Sequence, residues 1–192
     1  MNSKTIALAL LVLLIGMPLA HAGRETHRVW ARIQAARAIR EGKGPRPLYI
    51  FFDPNCPFCH RLYENLQALI GPERLRVTWI PVGVLEMSSF GKAAHLLEAA
   101  NPQAELARNE RRFARGGVKP WRARARIRHA LAANARLLTD AGSNGVPFLV
   151  YQGHSGRVHS VIGDPPVRAL LRIIPRIRER TSLTASPRTA RP

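Results

Sequence analysis

The stretch that decides the fold is Leu48-Tyr49-Ile50-Phe51-Phe52-Asp53-Pro54-Asn55-Cys56-Pro57-Phe58-Cys59-His60. Its first five residues are an unbroken apolar run, which predicts a strand buried on both faces, as in a parallel sheet. Residues 53–57 then break the strand and open a helix, which Gly71-Pro72 ends. A second apolar run at residues 76–82 predicts the next strand. Together these elements predict a β-α-β unit.

The remaining patterns place helices and a hairpin around this unit. Residues 24–41 carry apolar side chains at helical spacing and predict one helix, followed by a linker that ends at residue 46. Helical composition over residues 88–142 predicts an insertion of three helices. A hairpin of strands at 146–151 and 157–162 follows, and Asp164 is predicted to cap the last helix. This order predicts an α/β domain with a thioredoxin-like fold and a helical insertion, covering residues 47–180.

The composition of the two ends of the chain predicts that neither belongs to the folded domain. Lys4, an apolar run at residues 6–15 and Ala20-His21-Ala22 predict a signal peptide over residues 1–22, with a mature chain from Gly23. An uncleaved anchor is the alternative, although ten apolar residues are short for a membrane span. Export predicts an oxidising compartment, where disulfides persist. Residues 181–192 are small, polar and basic, which predicts a flexible tail.

The composition is that of a globular protein with a strong basic excess. Apolar residues make up 46% of the 192, and 30 Lys plus Arg against 12 Asp plus Glu give a net charge of +18. The arginines are spread over several predicted helices and aromatic residues are only 6%, a pattern that disfavours nucleic acid as a partner. The charge favours contact with acidic proteins or anionic surfaces instead.

The two cysteines of the chain, Cys56 and Cys59, have the C-x-x-C spacing of a redox-active pair. A disulfide between them would be a poor structural crosslink, since so short a loop gives about 2 kcal/mol against about 3 for fifteen residues. At the start of a helix, backbone N–H groups and the helix dipole favour a thiolate. We therefore expect Cys56 to be the exposed attacking sulfur and Cys59 to be the more buried resolving one. Pro57, in the first helical turn, would hold the sulfurs close.

Two other chemistries, haem attachment and zinc binding, are alternatives for the motif that ends at His60. Cys56 to His60 also matches C-x-x-C-H, the attachment motif of c-type haem, for which Met87 would be a candidate second ligand. The preceding buried strand favours the redox interpretation, in which Phe58 and His60 join Pro57 in tuning the thiolate. A structural zinc site needs four ligands, and one C-x-x-C supplies two. The sequence thus predicts no metal and no cofactor beyond the Cys56–Cys59 disulfide itself.

Three stretches resemble the periplasmic thiol:disulfide interchange proteins of the DsbC/DsbG family, most closely DsbG. They are residues 51–59, residues 80–85 and residues 134–147, and the likeness extends over about residues 47–175. The resemblance implies that Cys56 is the nucleophile and Cys59 the resolving cysteine. It also implies that Pro147 is the cis-proline beside the pair, with Val146 pairing to an extended substrate. Without the resemblance, an ordinary trans proline at a strand start is favoured.

The chain departs from this family in two respects. Its members carry an N-terminal dimerisation domain, whereas residues 23–46 suffice for one helix and a linker, so we expect a monomer. The family usually has threonine before the cis-proline, whereas this chain has Val146, as oxidising DsbA-type enzymes do. The resemblance implies a disulfide reductase or isomerase that acts on exported cysteine-containing proteins and is kept reduced by a membrane reductase of DsbD type. The alternatives are a dithiol oxidase and a binding module with idle cysteines.

Overall fold

The computed structural model describes residues 18–180 and contains one mixed sheet of five strands. The strands are β1 (Ile39–Glu41), β2 (Arg46–Phe52), β3 (Leu75–Pro81), β4 (Phe148–Gln152) and β5 (Val158–Ile162). Their order is β1-β3-β2-β4-β5. Strands β2 and β3 are parallel, and the other three pairings are antiparallel. The predicted β-α-β unit and the predicted hairpin are both confirmed.

Six α-helices and two short 3-10 helices accompany the sheet in the described part of the chain. The α-helices are α1 (Pro18–Ala35), α2 (Pro57–Gln67), α3 (Ser89–Glu98), α4 (Pro102–Arg111), α5 (Ala125–Asp140) and α6 (Val167–Ile173). The 3-10 helices are Phe113–Arg115 and Ile174–Arg176. Helices α3, α4 and α5 form the predicted insertion between β3 and β4. None of these helices combines the length and the apolar character that crossing a membrane requires.

Strand β2 lies at the centre of the sheet and separates two hydrophobic cores. Leu48, Ile50 and Phe52 pack on the side of α2 and most of the insertion. Tyr49 and Phe51 pack on the opposite side, against α1 and the end of α5. Because alternate side chains of a strand point to opposite faces, only an unbroken apolar run can fill both cores. The expectation that this run is buried on both faces is confirmed, and the fold is thioredoxin-like.

The structure corrects two local predictions. The predicted helix over 24–41 ends at Ala35, and β1 follows, with Ile39 paired to Trp79 of β3. Ile39 fitted the helical spacing by coincidence, because a buried edge strand also needs an apolar residue there. The predicted cap at Asp164 is also wrong. Pro166 occupies the N-cap position of helix α6 without a side-chain capping hydrogen bond, and Asp164 accepts a 2.7 Å hydrogen bond from Arg61 Nε instead.

The predicted terminal segments stay predictions. Residues 1–17 of the predicted signal peptide and the predicted tail at 181–192 lie outside the described residues. Helix α1 begins at Pro18, so the last five residues of the predicted signal peptide belong to it.

Candidate active site

Residue Cys56 is the N-cap of α2, directly after the turn that leaves β2. Its backbone is extended (φ −80°, ψ 116°), and its Sγ accepts a 3.3 Å hydrogen bond from the backbone N–H of Cys59. Pro57 occupies the first helical turn, where a residue without an N–H leaves nothing unsatisfied. The local sequence therefore places a sulfur where an N-cap oxygen normally sits, at the positive end of the helix dipole.

This placement lowers the pKa of Cys56 from 9.0 to about 7. The largest cause is the hydrogen bond that the thiol of Cys59 donates, and the backbone N–H groups of Cys59 and Phe58 add to it. Burial and the negative charge of Asp53 act in the opposite direction. At neutral pH about half of the Cys56 thiols are thus ionised, against about one in a hundred for a thiol with a pKa of 9.0.

Cys59 has the opposite character. Burial, the hydrogen bond with Cys56 and the charge of that sulfur all raise the pKa of Cys59 well above its usual range. Its proton is therefore retained while Cys56 is an anion. Both cysteines are free thiols in this structure. Cys56 is 2% exposed and Cys59 is 3% exposed, so the predicted exposure of Cys56 is wrong and Cys59 is not the less exposed of the two.

The loop before β4 lies against the Cys56 sulfur. The Val146–Pro147 peptide bond is cis, as the resemblance implies. Cys56 Sγ donates to the carbonyl oxygen of Val146 over 3.6 Å, and Pro147 O accepts a 2.9 Å hydrogen bond from the N–H of Gly163. The fold thus brings together residues 90 positions apart in sequence. Because this loop contacts the Cys56 sulfur, a substrate that reaches the sulfur would also contact the loop.

The sequence places Asp53 in the turn that breaks the strand and opens the helix, and the structure shows that it also organises this edge of the site. The residue is 1% exposed. Its Oδ1 accepts hydrogen bonds from Asn55 N and Ser89 Oγ, at 2.9 and 2.7 Å. Its Oδ2 accepts from the backbone N–H groups of Val84 and Leu85, at 2.6 and 3.0 Å. One carboxylate thereby joins the turn before Cys56 to the loop that follows β3. No motif signals this role, because three of its partners lie 31 to 36 residues away.

The helical insertion also holds the turn before Cys56. Asn55 Nδ2 donates to Ser88 Oγ and Ser89 Oγ, at 2.9 and 2.8 Å, and its Oδ1 accepts from Lys92 Nζ. Asn109, from α4, donates to Pro54 O at 3.0 Å. These contacts were also missed from the sequence, because buried amide side chains leave no periodic signal.

The predicted tuning residues around the pair occupy different environments. The His60 ring lies 2.9 Å from Glu110 Oε2 through Nδ1, 3.5 Å from Glu64 Oε1 through Nε2, and stacked on Phe113. It is not among the groups that shift the pKa of Cys56. Burial raises the pKa of Glu110, its main acidic partner. Phe58 acts on Cys56 through its backbone N–H, while its half-exposed ring lies 4.6 Å from the Arg61 guanidinium.

The arrangement suits dithiol chemistry better than a metal or haem. In the described part of the chain, no group of three or more His, Cys, Asp or Glu side chains is placed to hold a metal ion. A haem would need His60 as an iron ligand, but both ring nitrogens face carboxylates and one face of the ring is covered by Phe113. Met87, the candidate second ligand, is fully exposed.

Comparison with known proteins agrees with this chemistry. The chain is 29% identical over 149 residues to the thiol:disulfide interchange protein DsbG of Pseudomonas aeruginosa, and 26% identical over 157 residues to DsbG of Escherichia coli. The matches cover 76% and 79% of this chain. Over these segments the chain is similar in sequence to the thiol:disulfide interchange proteins named DsbG. It spans 58% and 61% of the length of these two relatives. No protein-family model matches it.

Solved structures support the fold. The catalytic domain of Proteus mirabilis ScsC superposes with a TM-score of 0.66 at 18% identity, covering 79% of this chain and 96% of that one. A disulfide interchange protein from Neisseria gonorrhoeae superposes with a TM-score of 0.56 at 25% identity, covering 75% and 97%. The predicted thioredoxin-like fold is therefore confirmed.

Proposed function

We propose that the protein is a thiol–disulfide oxidoreductase that reduces or isomerises disulfides of exported proteins. The observation that carries the proposal is the unequal pair of thiols at the start of α2. Cys56 has its pKa lowered to about 7 and accepts a hydrogen bond from Cys59 N, while the pKa of Cys59 is raised. A pair in which one thiol is largely ionised while the other keeps its proton is suited to two successive thiol–disulfide exchange steps.

In the first step the Cys56 thiolate attacks one sulfur of a client disulfide. The client S–S bond breaks, a mixed disulfide forms on Cys56, and the second client sulfur leaves as a thiolate. In the second step the proton of Cys59 passes to the client thiolate released in the first step, and the Cys59 sulfur attacks Sγ of Cys56, which releases the first client sulfur as a thiolate. The client has gained two electrons, and the protein has lost two electrons in forming the Cys56–Cys59 disulfide.

The first step itself prepares the second. The hydrogen bond with Cys56 and the charge of its sulfur are two of the causes that raise the pKa of Cys59. Both disappear when Cys56 becomes part of a neutral mixed disulfide. The remaining main cause is burial, so the pKa of Cys59 falls at the stage where its thiolate is required.

Clients would be extended, cysteine-containing segments of proteins in the periplasm. Phe58, Val84, Leu85 and Met87 expose large apolar side chains on the segments that flank the thiols, where they would contact such a segment. Val84 and Leu85 are held there by Asp53, three residues before Cys56. In this proposal the chain acts as a monomer, and a membrane reductase of DsbD type returns the pair to the dithiol form.

The Cys56→Ser variant tests the proposal. It should lose reduction and reshuffling of a scrambled disulfide protein, because the hydroxyl of serine is not ionised at neutral pH. Cys59→Ala should instead accumulate mixed disulfides with client proteins, since the resolving thiol is missing. A Cys56→Ser variant that reshuffles the test protein at the wild-type rate would rule the proposal out.

A dithiol oxidase is the second candidate, favoured by Val146 before Pro147. The reduction potential separates the two: about −120 mV indicates an oxidant and about −270 mV a reductant. The pKa supports reduction, because the attacking cysteine has a pKa of about 7 in reducing thioredoxin and about 3.5 in oxidising DsbA. The value of about 7 at Cys56 is on the reducing side of this comparison.

A further inference from the structure

The helical insertion contains a concave site apart from the thiols, here named the insertion cavity. It has a volume of about 600 Å³ and lies between α3, the end of α4 and the loop that leads to α5. Five cationic side chains line it, and no aspartate or glutamate is among its lining residues. The cations are Lys92, Arg108, Arg112, Arg115 and Lys119. A concave wall of one charge concentrates its field on whatever enters.

The positive charge of the insertion cavity is largely uncompensated. Arg108 lies 3.4 Å from Glu105 Oε1. The other four cations have no carboxylate within 4.0 Å among the residues that the structure describes. Of these, Lys92 is buried and its ammonium donates only to the neutral amide oxygen of Asn55. Like charges on the lining of one cavity repel one another, so an anion that enters would relieve this repulsion.

The wall of the insertion cavity is fixed by hydrogen bonds and by ring stacking. Val118 N donates to Asn109 Oδ1 at 3.1 Å, and Trp121 N donates to Gly91 O at 2.9 Å. The rings of His95 and Trp121 are stacked with centroids 3.9 Å apart, and His95 Nδ1 lies 2.8 Å from Lys119 O. A ligand would therefore meet a shape that already exists, which lowers the entropic cost of binding.

We propose that the insertion cavity binds a small multivalent oxyanion, with several phosphate or carboxylate groups. Guanidinium groups present paired donors that match the oxygens of these groups. The volume lies within the range of small-molecule sites, about 300 to 1,000 Å³. The five cations line a single cavity of limited volume, which favours a compact anion over a long acidic segment.

The insertion cavity is separate from the thiols but touches the loop that holds them. Lys92 bonds to Asn55, the residue before Cys56, and Asn109 joins Val118 of the wall to Pro54. Substituting Lys92 would therefore disturb the catalytic loop as well. Arg112 and Arg115 are exposed, and the side-chain hydrogen bonds to that loop come from Lys92 and Asn109, so the two arginines are the residues to change.

The test is a titration with sodium tripolyphosphate, and separately with citrate, at constant ionic strength. Binding is followed by calorimetry and by tryptophan fluorescence, because Trp121 lines the cavity while Trp30 and Trp79 are buried elsewhere. The double variant Arg112→Gln/Arg115→Gln should weaken tripolyphosphate binding about tenfold. The control Arg168→Gln/Arg172→Gln removes the same charge from α6, outside the cavity, and should leave the affinity within twofold of wild type.

Each outcome decides the proposal. Saturable one-site binding of tripolyphosphate, lost with the cavity arginines and kept in the control, supports it. Citrate binding of similar strength shows that carboxylates suffice, and its absence shows that phosphate is needed. Equal weakening in both variants would mean that net charge alone attracts the anion, which overturns the site. Binding of long oligoglutamate without either small anion would overturn it as well, in favour of acidic protein segments.

Discussion

The hydrogen bond between the two thiols can be tested by replacing Cys59 with alanine. This hydrogen bond is the largest cause that lowers the pKa of Cys56 from 9.0 to about 7, a change worth about 3 kcal/mol in favour of the thiolate. The backbone N–H donors at Cys59 and Phe58 remain in the variant, so only part of the lowering is lost. We expect the pKa of Cys56 to rise by about one unit, which reduces the ionised fraction at pH 7 from about one half to about one tenth.

The assay is the rate of iodoacetamide alkylation as a function of pH, followed by mass spectrometry. The matched control is Cys59→Ser, which keeps a donor at the same position and should titrate close to the wild-type midpoint. In both variants only one cysteine remains, so the rate reports Cys56 alone. The reasoning is refuted if wild-type Cys56 titrates near pH 9. It is also refuted if the alanine and serine variants share one midpoint, because the side-chain donor would then contribute nothing.

Three further measurements examine other parts of the argument. Asp53→Asn should move the alkylation midpoint of Cys56 below pH 7, because the charge of Asp53 raises the pKa of Cys56. The control Asp164→Asn should leave the midpoint unchanged. An unchanged midpoint in Asp53→Asn would contradict the prediction. Glu41→Ala should cost about 1–3 kcal/mol of unfolding free energy, because Trp79 Nε1 loses its 3.0 Å acceptor, whereas Glu41→Gln should cost less. The free energy of unfolding of the reduced protein should rise by about 1 kcal/mol between pH 6 and pH 8 because of Cys56, since a group whose pKa is lower in the folded state stabilises that state as pH rises. Chemical denaturation at the two pH values measures this rise, and the Cys56→Ala variant should lack it.

The features that the sequence predicts correctly are those that depend on residues close together in the chain. The run at 48–52, the C-x-x-C spacing and the proline at the start of α2 each depend on a few neighbouring positions, so hydrophobic pattern and capping rules apply directly. The helix over 24–41 failed for a related reason. Ile39 satisfies the spacing of a helix and also that of a buried strand, and only its pairing with Trp79, forty residues on, decides between them.

The parts of the site that were missed depend on residues distant in sequence. Asp53 was visible as a helix-opening residue, but its partners Ser89, Val84 and Leu85 reach it only after β3 has paired with β2. The burial of Cys56 was missed for the same reason, because the loop that touches its sulfur lies 90 residues away. His60 is the converse case. Its position in the motif suggested tuning of the thiolate, but Glu110 and Phe113 of the insertion bind its ring instead.

The value of about 7 at Cys56 follows from opposing effects within one small region. The start of α2 and the thiol of Cys59 favour the anion, whereas burial and the carboxylate of Asp53 oppose it. The opposition has a chemical consequence. A lower pKa would increase the thiolate fraction but weaken the nucleophile, and the most effective attacking thiol has a pKa near the surrounding pH. Burial is the larger of the two opposing effects, and the carboxylate of Asp53, which also anchors the loop after β3, adds a smaller one.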